Sequence, residues 1–282
     1  MLGRSARESH SQALSAALKA GWVQNPEDLL NLGVNSEVFS TVAKVSNISA
    51  IMHIGHPHQP DPELEQDLLS SQTNLLITDV ISIPSTWVWV GRGGEPIGPV
   101  VVDTAGLRDV RPILRKFGLS PRLVPVKTSL EERIELAGET GTLVIEGDRV
   151  PSGFEVLPGN EELENFTDVW YGLVSAEAKI PDFIEPTTIW LAFGPAQDAK
   201  GSLRETLDVL SDSEVDLAHL RSYGTKAGPH AFLCAFESPS KDHLKQLIVS
   251  LNAQSVKHRV LGVLKGATDA DTPHTLEPNW IN

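Results

Sequence analysis

The stretch of sequence that decides the fold begins with TTIWLAFG at residues 187–194 and continues to residue 264. In its first segment Ile189, Leu191 and Phe193 alternate with their neighbours at the two-residue period of a strand. The elements predicted here are strand 187–194, helix 201–210, strand 215–223, strand 230–237, helix 241–251 and strand 256–264. The order βαββαβ predicts a ferredoxin-like sandwich.

The two helices of this stretch each present one apolar face. Leu203, Leu207 and Leu210 are spaced i, i+4, i+7, and Leu244 and Leu247 start a similar row. Both rows predict helices that pack on one side of the sheet.

The first 185 residues alternate helices with short apolar strands, which predicts α/β layers around a largely parallel sheet. Pro181 and Pro186 mark the joint to the second domain. The predicted organisation is a large domain at 1–185 in two lobes with a hinge near 91–99, a small domain at 187–264 and a flexible tail at 265–282.

Composition excludes several classes of protein. The net charge of −14 argues against nucleic-acid and anionic-membrane partners, although local arginines can still bind a small anion. No apolar run approaches the roughly 18 residues of a membrane span, and the N-terminus lacks a secretory signal, so we expect a cytoplasmic protein. Cys234 is the only cysteine, which rules out an internal disulfide. We expect no cofactor.

The small domain resembles the ACT domain of prephenate dehydratases. Gly201, Ser202 and Leu203 stand where that family has its Gly-Ala-Leu turn, and Arg221 and Ser222 stand within its Glu-Ser-Arg-Pro segment. The resemblance implies an amino-acid effector bound by these five residues. It also implies a homodimer or homotetramer.

The N-terminal segment resembles the catalytic domain of the same family, a two-lobed periplasmic-binding-protein-like fold. LVPVKTS at 123–129 is similar to the family's LVPVSST, residues 52–57 stand in the place of PIENS, and residues 165–167 resemble the start of NxTRF. The resemblance rests on the order of these segments along the chain, followed by an ACT-like module.

The resemblance implies a cleft for a small dicarboxylate, in which several residues bind substrate and three act in catalysis. The substrate-binding candidates are Arg4, Arg7, Ser9, Thr128, Ser129, Asp103 and Thr104. The catalytic candidates are Thr167, His56 and Asp168. Ser9, Asp103 and Ser129 have a second interpretation as helix caps, and Arg4 and Arg7 as a solvated terminus.

His53, His56 and His58 form a cluster after a predicted strand. Three imidazoles so close in sequence could bind a metal, donate hydrogen bonds in an active site, or belong to a polar loop. We favour a hydrogen-bond donor at His56 and assign no metal. Trp87 has two interpretations, as a core residue or as an apolar wall for a ring.

Three functions remain open from the sequence. The first is a decarboxylating lyase of the prephenate dehydratase type, giving phenylpyruvate. The second is a decarboxylase that leaves the ring non-aromatic. The third is an inactive paralogue that retains an amino-acid-sensing ACT domain.

Overall fold

A computed structural model describes residues 1–71, 74–93, 98–164, 168–176, 179–195, 199–224 and 230–267. The chain divides into two compact units. The first unit comprises Met1–Gly3, Ser36–Ile81 and Trp170–Asn282, and the second comprises Arg4–Asn35 and Ser82–Val169.

Strands and helices alternate along most of the described chain. The strands are β1 (Leu2–Arg4), β2 (Leu29–Asn31), β3 (Ser49–His56), β4 (Gln59–Pro60), β5 (Leu76–Ile83), β6 (Trp87–Gly91), β7 (Val100–Asp103), β8 (Pro121–Val124), β9 (Thr142–Glu146), β10 (Glu155–Val156), β11 (Val169–Ser175), β12 (Thr187–Gly194), β13 (Leu217–Tyr223), β14 (Ala231–Ser238) and β15 (Lys257–Lys265). The helices are α1 (His10–Lys19), α2 (Asn35–Lys44), α3 (Pro62–Ser70), α4 (Thr104–Lys116), α5 (Leu130–Ala137), α6 (Glu161–Glu164), α7 (Ser202–Asp212) and α8 (Lys241–Ala253).

The C-terminal part of the first unit is the predicted βαββαβ module, formed by β12, α7, β13, β14, α8 and β15 in that order. Its strands are arranged β13-β14-β12-β15 and pair antiparallel. Most of the apolar row of each helix is buried with the strands in one cluster, which includes Leu210, Leu244 and Leu251, whereas Leu203 is exposed. The fold-class prediction of an α/β chain with a ferredoxin-like βαββαβ module is therefore confirmed.

The sheet of this module does not end at β15. Strand β15 pairs in parallel with β5, and the sheet continues through β11 to β3. Lys265 and Asp79 form an ion pair of 3.2 Å beside this pairing. Leu76 and Phe183 lie in the same apolar cluster as the module's own residues. The module thus shares its sheet and its core with the rest of the first unit.

Residues 57–71 of the first unit make polar contacts with the module's strands. The Trp190 indole donates to the Pro57 carbonyl at 2.7 Å, and the Arg259 guanidinium donates to the Ser71 carbonyl at 2.8 Å. Glu65 on α3 is fully buried and bonds to side chains of β13. These contacts fix α3 against the module.

The sheet of the second unit has the order β10-β6-β9-β7-β8. Strand β7 pairs in parallel with β8 and β9, whereas β6 pairs antiparallel with β9 and β10. The sheet is therefore mixed and not largely parallel as predicted. Helices α4 and α5 connect β7, β8 and β9 as crossovers, but β6 follows β5 after three residues, so no crossover helix sets its direction.

The sequence at 26–32 predicts one or two helical turns, and only part of this segment is helical. Residues Pro26–Asp28 form one 3-10 turn, and Leu29–Asn31 form a strand. The Leu32 amide donates to the Arg4 carbonyl at 3.0 Å, so pairing with the chain start outweighs the local helical tendency. Within the described residues, no helix is long and apolar enough to cross a membrane. Residues 94–97 of the predicted hinge and 268–282 of the predicted tail lie outside the described residues.

Candidate functional site

Two adjoining pockets in the second unit have volumes of about 480 and 540 Å³. They share five lining residues, so we treat them as one cavity and call it the second-unit cleft. The shared residues are Asp103, Val126, Lys127, Glu146 and Arg149.

Three helices begin at the second-unit cleft, each with its capping residue in the lining. The Ser9 hydroxyl accepts from the Gln12 amide at 3.2 Å at the start of α1. Asp103 accepts from the Gly106 amide at 2.8 Å at the start of α4. Ser129 forms a capping box at the start of α5. Helix N-termini carry partial positive charge, so their meeting favours an anionic ligand.

Cationic and apolar side chains make up much of the remaining lining, which also includes the exposed carboxylate of Asp148. Arg4 lines one pocket, and Lys127 and Arg149 line both. Trp87 and Ile145 are buried in the wall of the smaller pocket, and the Trp87 indole is fixed by donating to Asp109 at 2.6 Å. The cleft can therefore bind carboxylates on one side and an apolar ring on the other.

Two of the acids in the lining are neutralised by neighbouring arginines. Asp103 pairs with Arg133 at 2.9 Å, and both side chains are buried. Glu8 pairs with Arg108 at 2.8 Å, with the glutamate buried and the arginine one-fifth exposed. Neither acid adds much uncompensated charge to the cleft.

Glu146, at the end of β9, is paired differently. One carboxylate oxygen accepts from the buried Ser9 hydroxyl, and the other lies 3.5 Å from an Arg149 side chain that is 65% exposed. His10 is not a cationic partner for Glu146, because burial and the Arg4 charge lower the pKa of His10. Arg4 Nε donates to His10 Nδ1 at 3.2 Å, which fits the neutral ring.

The structure brings most of the predicted substrate-binding residues together. Arg4, Ser9, Asp103, Thr128 and Ser129 all line the second-unit cleft. Three predicted residues of the same unit are not in its lining: Arg7, Thr104 and Asp168. Thr104 opens α4 directly beside Asp103, and Asp168 is exposed. Thr167 lies outside the described residues.

His56 belongs to the first unit, at the end of β3. Its Nδ1 accepts from the His58 amide at 3.1 Å, which places the proton of the neutral ring on Nε2. His58 is held by a 3.3 Å contact with Thr188, and burial lowers its pKa. Among the residues that the structure describes, no group of three or more metal-binding side chains is found.

The predicted effector residues fall into two groups within the first unit. Gly201, with φ of +95°, precedes α7, and Ser202 lines a pocket of about 310 Å³ beside it. Leu203 is partly exposed on α7. Arg221 instead bonds to the buried carboxylate of Glu65, and Ser222 points to the opposite face of β13.

Sequence reasoning missed Glu146, Lys127 and Arg149. Lys127 lies inside the quoted segment LVPVKTS but was not chosen as a candidate. A usable signal existed for Glu146, because it directly follows the apolar strand 143–145 and precedes Gly147. Polar residues at the carboxyl ends of strands in α/β sheets commonly face a ligand.

No protein-family model matches the chain, and no curated protein matches it in sequence. Solved structures do match. The prephenate dehydratase of Arthrobacter aurescens, in complex with L-Phe, has a TM-score of 0.67 at 16% identity, covering 95% of this chain and 90% of its own. That of Staphylococcus aureus has a TM-score of 0.62 at 14% identity, covering 94% and 100%. GqqA, described as a quorum-quenching acylase, has a TM-score of 0.58 at 17% identity, covering 94% and 97%.

The chain therefore has the fold of prephenate dehydratases, as the sequence resemblance implied. An acylase shares the same fold, so the fold alone does not decide the reaction.

Proposed function

We propose that the protein is a lyase that decarboxylates prephenate or a close analogue, with the dehydratase outcome as its principal reaction. The observation that carries this proposal is the second-unit cleft, in which three helix N-termini and three basic side chains meet beside an apolar wall. Prephenate has an apolar ring, one carboxylate on that ring and a second carboxylate on its side chain. The basic side chains and helix N-termini suit the carboxylates, and the apolar wall suits the ring.

The chemistry needs two things from the protein. Breaking the bond between the ring and its carboxylate releases CO₂ and leaves an electron pair, which expels the ring hydroxyl and makes the ring aromatic. The hydroxyl leaves as water only if an acid protonates it. The sequence candidates for this acid are His56, Thr167 and Asp168. In its neutral form His56 carries a proton on Nε2 and can donate a hydrogen bond, but only its protonated form can act as this acid.

The alternative outcome follows from the same site. Where no acid reaches the hydroxyl, the electron pair formed on CO₂ loss takes up a proton at carbon, and the ring stays non-aromatic. One assay distinguishes the outcomes. Purified protein is mixed with prephenate, and products are followed by ultraviolet absorbance and mass spectrometry.

We expect phenylpyruvate at a rate well above the spontaneous decay of prephenate. A non-aromatic keto acid would establish the alternative outcome, and no acceleration at all would exclude both lyase outcomes for prephenate. The variant Lys127→Met should raise KM roughly tenfold with little change in kcat, because a carboxylate contact is lost in substrate and transition state alike. Lys116→Met, at the far end of α4, serves as the control.

The ACT module is proposed to bind an amino-acid effector, as the L-Phe complex of the Arthrobacter aurescens protein suggests. Gly201, Ser202 and Leu203 remain our candidates for this site.

A further inference from the structure

Glu146 is an acid in a cleft where three helix N-termini and three basic side chains favour an anionic ligand. Its side chain is 7% exposed, and it lines both pockets of the second-unit cleft. Asp103 and Glu8 are buried in the same lining, but their arginine partners lie at 2.9 and 2.8 Å and are themselves largely buried. The arginine nearest to Glu146 is 3.5 Å away and is mostly in solvent.

This difference in pairing matters energetically. An ion pair with an exposed arginine is worth little, whereas a buried carboxylate remains costly until a cation or several hydrogen bonds compensate it. The Ser9 hydroxyl supplies one hydrogen bond to one oxygen. The other oxygen retains capacity to accept from a ligand in the cleft.

We propose that Glu146 binds an ammonium group of the substrate, and hence that the protein prefers a substrate whose side chain is an α-amino acid over one whose side chain is an α-keto acid. This inference rests on the proposed function and specifies its substrate class. The ammonium completes the pairing of Glu146, while the adjacent carboxylate binds at the helix N-termini and basic residues that surround it. A keto group in the same position would bring partial negative oxygen towards Glu146 and leave it unpaired.

The test compares prephenate with its transaminated counterpart, in which an ammonium-bearing carbon replaces the side-chain keto carbon. Initial rates are measured with both compounds for the wild-type protein and for Glu146→Gln, which keeps the acceptor for Ser9 but removes the charge. We expect the wild-type kcat/KM to favour the amino compound at least tenfold. In Glu146→Gln the kcat/KM for the amino compound should fall roughly 30-fold, the size expected when one partner of a buried charge pair is removed, and the preference over prephenate should be lost.

The exposed acid Glu155→Gln, on β10 of the same unit, is the matched control and should leave both values unchanged. A thermal-shift measurement adds a readout independent of turnover, because the amino compound should stabilise wild type more than Glu146→Gln. It also shows whether Glu146→Gln is folded, and Glu146→Asp is the replacement if it is not.

The outcomes separate the two proposals. Turnover of prephenate with no preference for the amino compound, or a preference that survives in Glu146→Gln, overturns the ammonium site and leaves the lyase intact. If neither compound is consumed but the amino compound still binds in a Glu146-dependent way, the lyase fails and the ammonium site stands. If neither compound is consumed or bound, both are overturned.

Discussion

Asp103, in the lining of the second-unit cleft, forms a hydrogen bond and an ion pair with other residues of the protein. One carboxylate oxygen caps α4 and the other pairs with Arg133 at 2.9 Å. Arg133 also donates to the Thr128 carbonyl at 3.1 Å and to the Val126 carbonyl at 2.9 Å. This buried arginine therefore ties the start of α4 to the segment that leads into α5.

Removing the Arg133 charge should cost much of the protein's stability. We expect Arg133→Met to lower the free energy of unfolding by about 3–5 kcal/mol, because Asp103 is left buried without its counter-ion and two carbonyls lose their donor. The exposed Arg122, which donates to the Leu136 carbonyl at 3.1 Å, is the control, and Arg122→Met should cost less than about 1 kcal/mol. Urea denaturation measures both. Similar losses for the two variants would contradict the role given to the buried pair.

Glu65 is the centre of a second polar cluster, in the first unit. Its fully buried carboxylate accepts from Arg221 and Tyr223 and lies 3.0 Å from His219 Nε2. All three partners point to one face of β13, at alternate positions. An internal carboxylate thus satisfies Arg221, which the family resemblance had assigned to an effector.

This cluster predicts a loss of stability in alkali. Burial, followed by the hydrogen bond to Glu65, raises the pKa of Tyr223 to about 12. The unfolded phenol ionises near its ordinary pKa of about 10, so stability should fall as the pH rises from about 10 to 12, where the unfolded chain has lost a proton that the folded chain keeps. Urea denaturation across this range measures the effect. Tyr223→Phe should show a smaller fall, and an equal fall in the variant would refute the assignment.

At the scale of elements, the local sequence of α5 determines where this helix begins and ends beside the cleft. Ser129 and Glu132 bond to each other's backbone amides in a capping box, and Gly138 ends the helix with φ of +69°. Ser129→Ala should reduce the free energy of unfolding by about 1 kcal/mol, since one amide of the first turn loses its acceptor. Ser120→Ala, at an exposed position before β8, should change it by less than about 0.5 kcal/mol. Thermal unfolding compares the two, and no difference between them would count against the cap.

Elements whose pattern is local could be predicted from the sequence. Helix α7 was predicted nearly as observed from the spacing of Leu203, Leu207 and Leu210, and strand β12 from the alternation along 187–194. Strand β2 was missed because its pairing partner at Arg4 lies far away in sequence. Glu65 was missed for the same reason, since its bonds reach β13 across 154 residues.

The substrate-binding candidates illustrate the same limit. Ser9, Asp103 and Ser129 could be found because a cap and a strand end leave a signal in neighbouring residues. Arg149 is the last residue of a single 3-10 turn that has no sequence pattern of its own, and only the fold places it at the cleft.

At the scale of the whole molecule, the βαββαβ module is integrated into the first unit. Strand β15 pairs with β5, and Leu76 and Phe183 complete the module's apolar cluster from outside residues 187–264. Polar contacts from residues 57–71 add to this, above all the bonds to Glu65. A module excised at its apparent sequence boundaries would lose a strand partner, two buried apolar side chains and a buried carboxylate.

We therefore expect the fragment 187–267 to be several kcal/mol less stable than the module within the full chain, because each lost large apolar side chain costs about 2–5 kcal/mol and Arg221 loses its buried partner. Far-UV circular dichroism during heating, with light scattering after size exclusion, measures folding and association. A longer fragment, 179–267, restores Phe183 and should recover part of the loss, but not the pairing of β15. A monomeric 187–267 fragment that melts cooperatively at the temperature of the full chain would show that the module's own sheet and helices suffice. If the longer fragment is as stable as the module in the full chain and the shorter one is not, the packing of Phe183 contributes more to the module's stability than the pairing of β15 with β5.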